Sequence, residues 1–589
     1  MGTEMELHHI LLAVDEFDAL SIERSPASEL PPSIQQQGIK AKAAPTAASA
    51  EEVVGDKPLA DKAAAGTEVN SMFSPAWLQR DLGRFPVAKE LGVRTGVLYL
   101  AGQEQQLYED SDMGPEFRQR RHFYYLTGAD FPGCAVTYDI QCDYLILWVP
   151  QTDPRTVLWY GRTPTIEQCK AATHVDDVRP IKDLSRALCG VFRPPGNTVY
   201  ALHPDQVPRF EHHKGTVHID TTKLKPAIER ARVIKTDYEI ELIRRANAVS
   251  SSAHKAVLTQ IKRCKNERDI LALFTSHCLH HGAKQQAYPV IAASGANGST
   301  LHYTDNDQPL AGRQLVVLDA GAEWRCYASD ITRTFPLRGA FTPQAAAIHR
   351  IVERMQNECI ERIRPGVSFH ALHLHACVVA VTELLALGVL HHTSSVAEII
   401  GRGTVAAFFP HGLGHHVGLE VHDVSGRQRL LATTSASASA AATVRATVAG
   451  ARRPPKREWV NPEMLASLYW DAVSSMKKTT TTGAVGDLPP NRVVASSQGG
   501  GDGRQKLEKN MVVTVEPGIY FCREYIESFF LNDSAHSKYI NKEELAKYWD
   551  VGGVRIEDDI LVTERGYENL TSAPKGEEML KIINEGSAE

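Results

Sequence analysis

The sequence predicts an α/β protein of two folded domains behind a low-complexity extension. Three observations carry this expectation. Short runs of β-type residues alternate with helical periodicity from about residue 90 onward. A stretch rich in Ala, Pro, Ser and Glu precedes them at 24–70. In the C-terminal half, wholly apolar strands end on acidic residues. The 589 residues suffice for two sizeable domains with sequence to spare.

Residues 1–74 hold a short apolar stretch at 10–14 and then the 24–70 segment, which has too few large apolar residues to bury. They are expected to be extension and linker. A mixed α/β domain is expected at 75–225. Its strands are Gly96-Val97-Leu98-Tyr99-Leu100, Phe123-Tyr124-Tyr125-Leu126, Tyr144-Leu145-Ile146-Leu147-Trp148-Val149 and Thr198-Val199-Tyr200-Ala201-Leu202, with turn residues between them.

A second α/β domain is expected at 235–575. It opens with a helix at 238–257, where Ile240, Ile243, Ala246 and Val249 recur at helical spacing and Thr236 or Asp237 supplies the N-cap. A helix at 267–277, strands at 315–318 and 327–335, and a helix at 343–363 closed by Pro365-Gly366 follow. Excursions interrupt this domain at about 423–508. Residues 433–451 are almost all Ala, Ser, Thr and Val, and 478–505 are rich in Thr, Gly, Ser and Gln, with a helix expected between them at 462–475.

A hydrophobic content of 43 % and a charged content of 23 % are those of a soluble globular protein. The net charge of -6 argues against nucleic-acid binding, and the basic run at 452–457 reads as solvated loop. The ten cysteines form no C-x-x-C pair, which argues against a zinc ribbon or disulfide framework and for a reducing compartment. The N-terminus carries acids where a secretory leader carries basic residues, and no run offers the roughly 20 apolar residues of a spanning helix. A cytoplasmic location is expected, with no membrane contact.

Chemistry concentrates in four places. Asp319 ends the apolar strand Leu315-Val316-Val317-Leu318, and Asp330 lies among apolar neighbours in Tyr327-Ala328-Ser329-Asp330-Ile331. Taken alone they read as a turn acid and a salt bridge to Arg333. The run from Phe409 to Asp423 crowds His411, His415 and His422 among closely spaced glycines, a pattern better suited to metal binding or proton transfer than to a core helix. Glu516 follows the apolar Met511-Val512-Val513-Thr514-Val515, and Arg555 and Glu557 alternate in Gly552-Gly553-Val554-Arg555-Ile556-Glu557 and so share a strand face. Four strand-associated acids in one core need compensation, which two divalent ions supply. Oxygen donors with one imidazole favour manganese, cobalt or zinc.

The ordered set HYTDND at His302, LDAG at Leu318, SDITRTFP at Ser329, HGLGHHVGLEVHD at His411, VEPGIY at Val515 and GGVRIEDD at Gly552 resembles the M24 "pita-bread" peptidases, and more narrowly their aminopeptidase P and prolidase branch. The resemblance implies a pita-bread catalytic domain behind an N-terminal α/β domain of the creatinase/prolidase type. It implies Asp319, Asp330, His415, Glu516 and Glu557 as ligands of two divalent ions, Mn2+ in the family. Asp330 and Glu557 would bridge, Asp319 would hold one ion, and His415 with Glu516 the other. His302, His411 and His422 would line the substrate site, Glu516 would move the proton, and Arg555 would orient the bridging carboxylate. The implied activity is that of an Xaa-Pro aminopeptidase acting on peptides with Pro at position 2. Alternatives are a prolidase and a pita-bread binding protein without catalysis. A homodimer is the family expectation.

Overall fold

The structure, a computed structural model, describes residues 86–586 apart from 174, 192–196, 208–217, 427, 429 and 432–503. The helix expected at 462–475 and the basic run at 452–457 lie outside the described residues.

The N-terminal half is built on one mixed sheet. Its strands are β1 (Val97–Ala101), β2 (Ala135–Asp139), β3 (Tyr144–Val149), β4 (Asp177–Pro180), β5 (Thr198–Tyr200) and β6 (His218–Asp220), in the order β4-β3-β2-β1-β5-β6. β1 and β2, and β2 and β3, pair antiparallel; the outer neighbours pair parallel. The first four residues of β1 are all buried, which is why its sequence is a continuous apolar run without alternation.

One expected strand is a helix. Phe123-Tyr124-Tyr125-Leu126 lies in the helix Arg121–Thr127, ended by Gly128 at φ 66°, whose N–H reaches the Tyr124 carbonyl. Aromatic residues favour strands as side chains on a half-buried surface, and packing overrides that preference here. Phe123 and Tyr125 enter an apolar cluster that also takes Val417, Leu419 and Val512 from the C-terminal half.

The C-terminal half opens with the helix Asp237–Gln260. Thr236 caps it, accepting from the Glu239 N–H, while the Glu239 carboxylate accepts from the Thr236 N–H, an arrangement that contributes about 1 kcal/mol. Glu267–His280, Pro343–Ile360 and Phe369–Ala386 are its other long helices. Phe369–Ala386 went unanticipated. Its 18 residues have a mean hydropathy of 1.5, enough in length and composition for a membrane span, but more than half of it is buried in the protein core.

The strands of this half are β7 (Gln285–Gln286), β8 (Ile291–Ser294), β9 (Leu315–Asp319), β10 (Ala322–Trp324), β11 (Tyr327–Ala328), β12 (Thr332–Pro336), β13 (Val512–Val515), β14 (Gly518–Tyr520), β15 (Gly553–Arg555), β16 (Asp558–Val562) and β17 (Tyr567–Asn569). They form antiparallel groups β12-β9-β8, β11-β10-β7, β13-β16-β17 and β14-β15. The strand expected at 327–335 is thus two strands. Ser329 to Ile331 break it, because the Ser329 N–H turns to the Ala322 carbonyl and the Asp330 N–H to the Asp559 carboxylate.

Candidate metal centre

Register brings the acids together. In β12, Thr332 stands opposite Asp319 of β9 and also bridges to Glu557. Residues directly opposite in a sheet share a face, and so do residues two apart in an extended chain. Asp319, Asp330, Thr332 and Glu557 therefore project to one side. Arg333 points to the other, where it donates to Asp558 at 2.7 Å. The salt bridge from Arg333 to Asp330 considered from sequence does not form.

The histidine run lies along β13 as an irregular extra strand. The Glu516 N–H reaches the Leu413 carbonyl, Thr514 that of His415, and the Val417 N–H that of Val512. Gly414 permits this approach, since a Cβ there would lie 2.2 Å from the Thr514 carbonyl oxygen. His415 Nε2 comes to 3.2 Å from Glu516 Oε1 and 3.5 Å from Asp330 Oδ2. Its Nδ1 is 3.1 Å from the His416 carbonyl, which can only accept. Nδ1 therefore donates to that carbonyl and Nε2 is turned to the acids. Burial opposes a charge on the ring, but hydrogen bonds to Asp330 and Glu516 raise its pKa well above the ordinary value, so Nε2 carries a proton that a bound cation would replace.

Ligand atoms of Asp319, Asp330 and Glu557 lie within 4.8 Å of one another, as do those of His415, Glu516 and Glu557, and those of Asp330, His415 and His422. These sets overlap in one cluster. Burial, then the charges of Asp330, Glu516 and Asp319, push the Glu557 carboxyl well above its ordinary range. Burial, with Asp319 adding and His415 opposing, takes Asp330 to about 6. Burial opposes the charge on Glu516, but its hydrogen bond with His415 brings it to about 2.

The polar atoms of this cluster fit bound cations. Glu557 Oε2 accepts from Thr332 Oγ1 at 2.7 Å, but Oε1 is buried with no partner among the described residues. Tyr288 OH stands 2.6 Å from Oδ1 of both Asp319 and Asp330, with a single proton to offer them. An orphaned carboxylate oxygen, and two carboxylates sharing one hydroxyl proton, are what a positive charge among them would satisfy. Asp319, Asp330, Glu516 and Glu557 with the His415 imidazole make an oxygen-rich donor set that suits hard to borderline divalent ions.

Arg555 touches one acid of the cluster directly. Its Nη2 donates to Asp319 Oδ2 at 2.5 Å, Nη1 to Tyr520 OH at 2.9 Å and Nε to Thr332 Oγ1 at 3.2 Å. It holds Asp319 directly, touches Glu557 by hydrogen bonds through Thr332, and its charge also acts on Glu557. His411 Nδ1 donates to the Gly412 carbonyl at 2.8 Å, so its Nε2 accepts from Tyr520 OH, also at 2.8 Å. The exposed His302 lies within electrostatic reach of His411 and His422, and the His422 ring sits 4.2 Å from that of His415, edge to face.

Tyr288 and Thr332 were missed as partners of the acids, and Tyr520 as the link between Arg555 and His411. Thr332 and Tyr520 stand inside the motif runs, and their hydroxyls beside buried acids were the available signal. Tyr288, between Ala287 and Pro289, carried none.

Residues 241–446 and 483–564 match Metallopeptidase family M24, and 84–200 match the aminopeptidase P N-terminal domain. The "Probable Xaa-Pro aminopeptidase PEPP" of Sordaria macrospora is 50 % identical over 607 residues, covering 100 % of this chain and 98 % of the relative. The chain belongs to the M24 metallopeptidases, in the aminopeptidase P branch. A "Probable Xaa-Pro aminopeptidase" of Chaetomium globosum is 51 % identical over 606 residues, covering 98 % of each chain. Among solved structures, aminopeptidase PepP of Pseudomonas aeruginosa matches with a TM-score of 0.61 and 25 % identity, over 85 % of this chain and 98 % of that one. Aminopeptidase P from E. coli matches with a TM-score of 0.62 and 23 % identity, over 87 % and 100 %. This M24 chain has the pita-bread catalytic fold behind an N-terminal α/β domain.

Proposed function

We propose that this chain is a metal-dependent Xaa-Pro aminopeptidase that releases the N-terminal residue from peptides with proline at position 2. The observation that carries the reading is the convergence of Asp319, Asp330, His415, Glu516 and Glu557, with the buried Glu557 Oε1 left unpartnered. These five residues would hold two divalent ions, Asp330 and Glu557 between them. The oxygen-rich donor set with one imidazole supports Mn2+ as the native metal. Bound there, the ions supply positive charge that acidifies a water and polarises the scissile carbonyl.

The protein's own groups do the rest. Glu516, ionised beside His415, would take a proton from the attacking water and return it to the departing proline nitrogen. That nitrogen becomes a basic secondary amine and needs the proton. The Arg555–Tyr520–His411 chain fixes one wall, with His411 accepting from the tyrosine hydroxyl. His422, beside His415, and His302, within electrostatic reach of His411 and His422, would meet the substrate carbonyl and the proline ring. An Xaa-Pro bond has no N–H, so a wall of imidazoles that asks for no such donor suits it.

We place the enzyme in the cytoplasm, a reading supported by ten scattered cysteines with no C-x-x-C pair. We also expect it to pair with a second copy. The consecutive Leu158, Trp159 and Tyr160, each more than 70 % exposed, supply an apolar surface in support.

The test is to assay Mn2+-loaded protein on an Xaa-Pro dipeptide and a longer Xaa-Pro-Yaa peptide in parallel. Cleavage of both with the longer preferred is expected. Cleavage of the dipeptide alone would make the enzyme a prolidase, and cleavage of neither would overturn the proline specificity.

A further inference from the structure

No hydrogen bond to a described residue fixes the His422 ring. Its placement comes from the backbone on either side, and both flanks are held by charges from elsewhere in the chain. Before it, Glu420 Oε2 accepts from Arg118 Nη2 at 2.5 Å and Oε1 faces Arg121 Nε at 3.5 Å. The same two arginines reach Glu323 Oε2 at 3.1 and 2.5 Å. After it, Asp423 Oδ1 accepts from Arg232 Nη2 at 2.5 Å and Oδ2 from Lys235 Nζ at 3.0 Å. Arg232 also bonds His122 Nδ1 at 3.1 Å.

Arg121 and His122 are consecutive residues of the helix Arg121–Thr127 in the N-terminal domain. One helix turn therefore reaches both flanks, the first directly and the second through Arg232. Ahead of the first flank, Val417 and Leu419 share an apolar cluster with Phe123 and Tyr125 of that helix, and Val421, between the flanks, packs against it. The segment also closes on itself, the Asp423 N–H reaching the His416 carbonyl at 2.8 Å. Gly418 makes room for the second flank. A Cβ there would lie 2.3 Å from Asp423 Oδ2 and 3.0 Å from Lys235 Cε.

We propose that Glu420 and Asp423 are positioning residues through which the N-terminal domain sets where His422 stands against the metal cluster. The inference rests on the substrate-facing role given to His422 above. It assigns the N-terminal domain a part in the chemistry within a single subunit: its helix clamps the strip that carries His415 and His422. A shift of about 1 Å in such a group is enough to cost up to a hundredfold in rate.

The Asp423 carboxylate is fully buried, and removing it risks the fold. Glu420 and Arg118 are each about 40 % exposed in their side chains and can be changed safely. The experiment compares kcat of the Mn2+-loaded full chain on an Xaa-Pro-Yaa peptide for Glu420→Gln, Arg118→Gln, His422→Gln and the double variants. Metal content and melting temperature are measured on each. Glu420→Gln and Arg118→Gln are each expected to lower kcat about tenfold with metal content retained. In the His422→Gln background each should change kcat less than twofold, because the group they position is gone. Equal losses in both backgrounds, or no loss in the wild type, overturn the proposal. A His422→Gln variant with unchanged kcat overturns the reading of His422 itself, and the proposal with it.

Discussion

Replacing Glu557 with Gln should stabilise the metal-free protein and destabilise the metal-loaded one. The reason lies in the crowding of charge. Ligand atoms of Asp319, Asp330 and Glu557 lie within 4.8 Å of one another. At that distance two unit charges repel by roughly 3 kcal/mol with an effective dielectric of about 20. The protein already relieves part of this by holding the Glu557 proton, so the amide should recover about 1–3 kcal/mol without metal. Gln keeps an oxygen to accept from Thr332 Oγ1, so that contact survives. With metal bound the sign reverses. The wild type gains about 2.7 kcal/mol from each ion present at a hundredfold excess over its Kd, and an amide between two cations forfeits much of that gain. Thermal melts of wild type and Glu557→Gln in chelator and in Mn2+ provide the assay, with metal content measured on each. Each kcal/mol moves the midpoint by about 2–4 °C in a domain of 150–250 residues, so the variant should melt a few degrees above wild type in chelator and below it in Mn2+. A variant less stable than wild type by the same amount in both conditions would refute the reasoning, for the cluster would then be an ordinary buried polar network.

Four further outcomes follow from the same geometry. Tyr288→Phe removes the hydroxyl shared by Asp319 and Asp330 and should weaken divalent-ion binding by about 10- to 100-fold, read by titration calorimetry. In metal-free protein, burial and then Asp319 raise Asp330 to about 6 against the opposing His415, so the folded state binds more protons than the unfolded chain above the usual carboxylate pKa of about 4. Its stability should fall as pH rises from about 4 to 6 in chelator, and Mn2+ should flatten that slope in urea denaturation. Asp423→Asn strands Arg232 and Lys235 in the core and should cost about 3–5 kcal/mol at pH 7. Burial opposes the Asp423 charge, but Arg232 and then Lys235 hold its pKa well below the ordinary value; its contribution is therefore full above about pH 4 and lost as pH falls through the folded pKa, and the gap to wild type should narrow in acid. Leu158→Ser with Trp159→Ser should shift sedimentation toward the monomer while leaving the melting temperature of the monomer unchanged.

The acids were legible in the sequence because their cost is local. An apolar strand that ends on Asp319 or leads into Glu516 shows a buried charge without reference to any distant residue, and β9 and β13 do end there. The long capped helix at Asp237–Gln260 was legible for the same reason, its cap and its period lying within one window. What escaped depends on partners far apart in the chain. Tyr288 matters only because Asp319 and Asp330, 31 and 42 residues on, turn toward it. Arg333 was offered Asp330 as its neighbour in sequence, yet strand alternation turns it to Asp558, 225 residues away.

The misread helix at Arg121–Thr127 and the unforeseen clamp on His422 have one cause. As a strand, Arg121, Phe123 and Tyr125 would share one face and His122 the other, and no single surface would carry both Arg121 and His122 with the aromatic residues. Wound as a helix, the segment buries Phe123 and Tyr125 against the strip that carries His422 while Arg121 and His122 reach toward its two flanks. Strand propensity weighs each aromatic residue by itself. The packing that overrides it is supplied by Val417 and Leu419, which lie some 290 residues further along and belong to the same run that holds the candidate metal ligand. The helix therefore takes its conformation from the site it serves, and it could be read correctly only once the histidine run was in place.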